Sequence, residues 1–153
     1  MTYGIFQKRT RSPTGMNNAA SGESQRQEPV MIAHTSLQVS DYGKAKAFYT
    51  KVLETLGYQN NMEYGESAGF NDGKNTDFWI TQEQTVVPTH IAFEAKDRAQ
   101  VEAFYKTALA AGAKDNGKPG YRDYWPGYYA AFIHDPDGHN VEAVWYDHSK
   151  APS

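Results

Sequence analysis

HTSLQVSDYGKAKAFYTKVL, residues 34–53, returns 56 positions later as HIAFEAKDRAQVEAFYKTAL, residues 90–109. His34 falls on His90, Asp41 on Asp97, Ala47-Phe48-Tyr49 on Ala103-Phe104-Tyr105, and Leu53 on Leu109. Self-similarity at a fixed offset marks one supersecondary unit used twice. Further along the offset becomes 65, so that DGKNTD (Asp72 to Asp77) lies over DGHNVE (Asp137 to Glu142) and Asp77 is matched to Glu142. Each copy therefore begins with a histidine and ends with a carboxylate, two residue types that hold metals. A pseudo-two-fold pairing of the copies would bring them into one pocket.

Working outward, the alternation in residues 30–39 predicts a strand with Thr35, Leu37 and Val39 on one face and His34, Ser36 and Gln38 on the other. Asp41 is placed to cap a helix whose apolar stripe is Ala45, Phe48, Val52 and Leu56, and Gly57 suits its end. Residues 58–83 hold short strand candidates, of which Phe78-Trp79-Ile80 is the clearest, with Trp79 expected in the core. Pro88 marks the junction. The second copy repeats the order: a strand over 89–95, a helix capped by Asp97 with Val101, Phe104, Ala108 and Ala111 inward, and Gly112 at its end. A loop rich in Gly, Pro and aromatics spans 118–127. Strands over 128–133 and 140–145 are joined by the turn Asp135-Pro136-Asp137-Gly138. Each copy reads as strand, helix and about three strands, which is α+β with mostly antiparallel sheet.

Length and composition exclude several functions. At 153 residues the chain is one domain or two very small ones, and two units sharing one core is the better reading. Net charge is −3 without a basic stripe, so nucleic acid is not an expected partner. No apolar stretch approaches the ~20 residues of a membrane span. With no cysteine, disulfides, thiolate nucleophiles and Cys-ligated zinc are absent, which fits a cytoplasmic setting. No Gly-rich phosphate loop or G-x-S-x-G elbow is present. Residues 1–29, rich in Ser, Asn, Gln and Gly, read as a disordered tail. The ordered domain is expected over 30–148, in modules of about 30–86 and 87–148, with 149–153 as a C-terminal tail.

A βαβββ unit present twice, a histidine on the first strand of each, HTSLQVSD followed by AFY, and above all the DPDG-x-N-x-E stretch resemble the vicinal oxygen chelate superfamily. This is the glyoxalase, bleomycin-resistance protein and extradiol dioxygenase group, and the resemblance covers residues 30 to about 147. It implies two modules curled into a cup of mostly antiparallel sheet, with helices outside and a divalent metal within. Carried over by position, the ligands are His34 and Asp77 from the first module and His90 and Glu142 from the second. Asp77 departs from the family's usual Glu. Without it, His34, His90 and Glu142 remain as a two-histidine, one-carboxylate set that suits iron. The metal is left open among zinc, nickel, manganese and iron.

The stretch Tyr121 to Tyr129 exists only in the second copy. Arg122, Tyr124, Trp125 and Tyr128 are its candidates for substrate contact, and the alternative is a surface loop packed by its own aromatics. His134 and His139, at the hairpin turn, are expected to be solvated. The resemblance implies a metal-dependent lyase or isomerase of glyoxalase type. Its ion would chelate a small oxygenated substrate and stabilise an enolate or oxyanion, with Glu142 or Asp77 moving a proton. The alternatives are a metal-free drug-binding protein of bleomycin-resistance type and an extradiol-type iron dioxygenase. Relatives of this size pair, so a homodimer with sites shared between chains is expected.

Overall fold

The computed structural model describes residues 32–150. The expected tail over 1–29 lies outside the described residues. Two four-stranded mixed sheets carry the fold, each with one helix. The first module contributes β1 (Thr35–Val39), α1 (Tyr42–Glu54), β2 (Gln59–Tyr64), β3 (Ser67–Asn71) and β4 (Thr76–Gln82). The second contributes β5 (His90–Glu94), α2 (Arg98–Ala110), β6 (Lys114–Tyr121), β7 (Tyr128–His134) and β8 (Asn140–Tyr146). A 3-10 turn over His148–Lys150 follows, where the sequence suggested a tail from 149.

Strand order is β1-β4-β3-β2 in one sheet and β5-β8-β7-β6 in the other. The first and last strands of each module pair in parallel and the remaining pairs are antiparallel. This is the twofold βαβββ, α+β architecture expected from the repeat. The loop expected to begin at Lys118 starts later, because residues 118–121 continue β6 against β7.

Both helices start where the capping chemistry puts them. Asp41 accepts from the Lys44 N–H and Asp97 from the Gln100 N–H, each satisfying a donor that the first turn leaves free. Ala45, Phe48, Val52 and Leu53 face inward from α1, and Val101, Phe104 and Ala108 from α2. Strand alternation supplies the facing surface: Leu37, Val39, Phe78 and Ile80 in one module, Phe93, Ala131, Ile133, Val141 and Ala143 in the other.

These side chains form one core shared by both modules. Phe78 and Phe93 meet edge to face across the divide, with ring centroids 5.0 Å apart. The Tyr49 hydroxyl donates to Asp135 at 2.6 Å from within the core. His139, expected at the surface, is fully buried at this junction. Its Nδ1 accepts from the Thr89 N–H, so its Nε2 carries the proton and donates to the Gln38 carbonyl at 2.7 Å. Facing backbone groups from both modules, which need partners once buried, account for a histidine there.

Candidate functional site

With the core faces assigned, the opposite face of each sheet is fixed by alternation. On β8, Val141 and Ala143 enter the core, so Asn140, Glu142, Val144 and Tyr146 share the other side. On β7 the same rule sets Tyr128, Ala130 and Phe132 beside them, with Phe132 directly across from Glu142. On β5 it sets His90, Ala92 and Glu94, and Ala92 pairs with Glu142.

Glu142 is 2% exposed, and a buried carboxylate requires partners. It has two. The Tyr128 hydroxyl donates to Oε1 at 2.5 Å, and His90 Nε2 lies 3.3 Å from Oε2. Burial, then the bond to Glu142, raises the Tyr128 phenol well above its ordinary range, so it stays a donor. His90 Nδ1 lies 3.0 Å from the Asn140 carbonyl, which can only accept. That bond keeps a proton on Nδ1 and turns Nε2 toward Glu142. This is the orientation that a metal-binding imidazole takes.

The donor pair fits a divalent ion. Two ligand atoms about 2.0–2.1 Å from one ion stand roughly 3.0–3.4 Å apart, and the observed 3.3 Å falls in that interval. The pair is incomplete by itself. Among the described residues no group of three or more His, Asp or Glu converges.

The first module holds its residues differently. His34, Asp77 and His90 line one cleft of about 580 Å³ between the edge strands β1 and β5. His34 is exposed there. Asp77 accepts from the Tyr58 hydroxyl at 3.1 Å through Oδ2, while its Oδ1 is shielded from solvent with no hydrogen-bond partner. Desolvation raises the Asp77 carboxyl above its ordinary range, and the bond from Tyr58 offsets this only in part.

Register corrects the matching of Asp77 to Glu142. His90 pairs with Asn140 and Ile91 with Val141, while Thr35 pairs with Phe78. With His34 equivalent to His90, Asp77 is the counterpart of Asn140, and Trp79 is the counterpart of Glu142. The cause lies in the turns. Asp72 accepts from the N–H two residues on, and so does Asp135. Asp135 is therefore the equivalent of Asp72, whereas the sequence match slid onto Asp137, the second aspartate of Asp-Pro-Asp. A bulge in β4 leaves Asp77 out of the ladder with β3, since Phe70 pairs with Phe78 but Asn71 with Thr76.

Trp79 is also not a core residue. It is half-buried on the face opposite Phe78 and Ile80, and its six-membered ring lies over Gly69. A Cβ at Gly69 would come within 2.9 Å of that ring and 2.6 Å of the Thr76 methyl.

The second-copy insertion reaches the Glu142 face. Tyr64 and Ser67 close a tight turn in the first module, whereas residues 122–127 bridge Tyr121 and Tyr128 in the second. Tyr124 meets Tyr128 edge to face at 5.4 Å, and Tyr128 meets Tyr146 at 5.4 Å, so a tyrosine wall leads to Glu142. Arg122 stacks over Phe132, which in turn lies against His90. Trp125 lines a surface hollow together with Arg122, Tyr124 and Lys150. Phe132 and Tyr146 were not singled out from the sequence, although alternation from Tyr128 and Glu142 points to both.

The comparisons agree with this architecture. Residues 31–143 match the family model of the Glyoxalase/Bleomycin resistance protein/Dioxygenase superfamily, and the chain belongs to that superfamily. It is 28% identical over 129 residues to "Uncharacterized protein YqjT" of Bacillus subtilis (strain 168), covering 72% of this chain and 95% of that one. A glyoxalase/bleomycin resistance protein from Albidiferax ferrireducens T118 superposes with a TM-score of 0.67 at 27% identity, over 76% of this chain and 98% of that one. Lactoylglutathione lyase from Agrobacterium tumefaciens shares the fold, with a TM-score of 0.59 at 22% identity, over 77% and 95% of the two chains. Among the described residues no helix is long and apolar enough to cross a membrane.

Proposed function

We propose that the chain is a metal-dependent enzyme of glyoxalase type, acting on a small oxygenated substrate in the cytoplasm. The observation that carries this reading is the His90–Glu142 pair, with Nε2 and Oε2 3.3 Å apart and His90 oriented through Nδ1. His90 and Glu142 would hold the ion together with His34. When bound, zinc, nickel, manganese or iron would supply Lewis acidity toward two neighbouring substrate oxygens.

The chain's own groups then have separable tasks. Glu142 carries or takes a proton, and the Tyr128 hydroxyl holds its carboxylate in place through Oε1. Phe132 and the wall of Tyr124, Tyr128 and Tyr146 exclude water from that carboxylate. A metal-free drug-binding role is the second reading. It is favoured by the same tyrosine wall and by Trp79 in place of an acid.

Among the described residues the His90–Glu142 pair has no third ligand nearby, and in this reading His34 from a second copy would complete the site. Among the described residues β1 and β5 are edge strands, and their outer sides offer the pairing this requires. Subunit mixing tests the arrangement. His34→Ala and His90→Ala chains should each bind no metal. Refolded together, they should recover about one ion per four chains, because half the dimers carry one intact site. Failure of the mixture to recover metal, with both parents dimeric, would overturn the shared site.

A further inference from the structure

Arg122 is built into the Glu142 face more firmly than a surface arginine needs to be. Its guanidinium carbon lies 5.4 Å from the centroid of Phe132. One terminal nitrogen donates to the Lys118 carbonyl at 2.6 Å, and the other to the Tyr121 carbonyl at 3.3 Å. Two glycines make the room. A Cβ on Gly120 would stand 3.0 Å from one terminal nitrogen, and one on Gly117 would stand 3.1 Å from Phe132 and 3.5 Å from the other. These contacts fix the plane of the fork before any ligand arrives. Two of its five N–H groups are used among the described residues, and three are left over.

Phe132 connects this fork to the candidate centre. It is the cross-strand partner of Glu142, and its ring lies against His90 at 6.5 Å between centroids. The cation therefore sits one aromatic ring away from the donor pair, on the same face of the sheet. Beside it runs the wall of Tyr124, Tyr128 and Tyr146, an apolar surface with polar tips. A fixed planar fork beside aromatic rings selects a flat molecule that carries one planar anion. A carboxylate accepts two parallel N–H···O bonds from a guanidinium, and one guanidinium balances one such charge.

We infer that this face binds a monocarboxylate with a flat, unsaturated body, its carboxylate on Arg122 and its body along the tyrosine wall. The inference rests on reading the β7–β8 face as the substrate surface, and it requires no metal. Benzoate and its neutral isostere benzamide are the probes, titrated calorimetrically into the full-length chain and into Arg122→Gln, Arg122→Lys and His90→Ala. Benzoate should bind the parent chain at least about tenfold more tightly than benzamide, the scale of one charge-assisted pair. Arg122→Gln should abolish that preference and Arg122→Lys should reduce it several-fold, with far-UV circular dichroism checking that each is folded. His90→Ala should retain it, including where the same variant shows that no metal binds, so failure of the metal reading leaves the anion site standing. Equal binding of the two probes, no binding of benzoate, a preference that survives in a folded Arg122 variant, or its loss in His90→Ala would each overturn the inference.

Discussion

Trp79 and Glu142 occupy the same position in two copies of one module, each on the last strand and each two residues beyond the partner of the first-strand histidine position. One is an indole lying over a glycine, and the other is a buried carboxylate held by a tyrosine and a histidine. Both modules also contain a tyrosine–carboxylate pair, Tyr58–Asp77 and Tyr128–Glu142, at 3.1 and 2.5 Å. In the second module the pair faces His90. In the first it involves the bulged residue of β4, with one oxygen unpartnered. Duplicated scaffolds can thus keep their core and lose their chemistry in one copy. Core positions are constrained by packing on every side, whereas the open face is constrained only by what binds there.

The largest test of this asymmetry is to restore symmetry. Trp79→Glu places a carboxylate where the second module has one, and if the modules meet in a shared centre, metal affinity should rise by about tenfold as a fourth ligand is added. Competition against a fluorescent chelator reads this directly, and unchanged affinity would mean that β4 does not face the ion.

The two tyrosines should differ in weight. Tyr128→Phe removes the short donor to a carboxylate that is 2% exposed, and should cost about 1–3 kcal/mol in urea unfolding. Tyr58→Phe removes a longer bond to the less buried Asp77 and should cost clearly less. Equal losses would put the two carboxylates in equivalent environments, contrary to the geometry.

The smallest effect concerns pH. Burial raises the Asp77 carboxyl above its ordinary 3.8, so the folded chain binds that proton more readily than the unfolded chain. Ionising Asp77 therefore opposes folding, and its contribution to stability falls as pH rises through the folded value. Asp77→Asn should raise Tm by about one or two degrees at pH 7, with the gain fading below about pH 4. A variant less stable than the parent at pH 7 would place an unseen cation or ligand on Asp77.

Much of this was legible from residues alone, for specific reasons. The 56-residue offset carried the first strand, the cap and the helix of each module, because capping and helical periodicity are local. That His90 and Glu142 share one face followed from strand alternation along β5 and β8. The matching of Asp77 to Glu142 failed because Asp-Pro-Asp offers two aspartates two positions apart, and only the turn's hydrogen bonds distinguish them. His139 was misplaced because its partners, Gln38 and Thr89, are distant in sequence and meet it only when the modules close on one core.

The central claim is that His90 and Glu142 hold a divalent ion while Asp77 does not. Elemental analysis of untagged protein loaded in turn with zinc, nickel, manganese and iron tests it, on the parent chain and on His90→Ala, Glu142→Gln and Asp77→Asn. The account predicts about one ion per chain in the parent and in Asp77→Asn, and none in the other two. Metal retained in His90→Ala or Glu142→Gln, or no metal in the parent with any of the four ions, would contradict it.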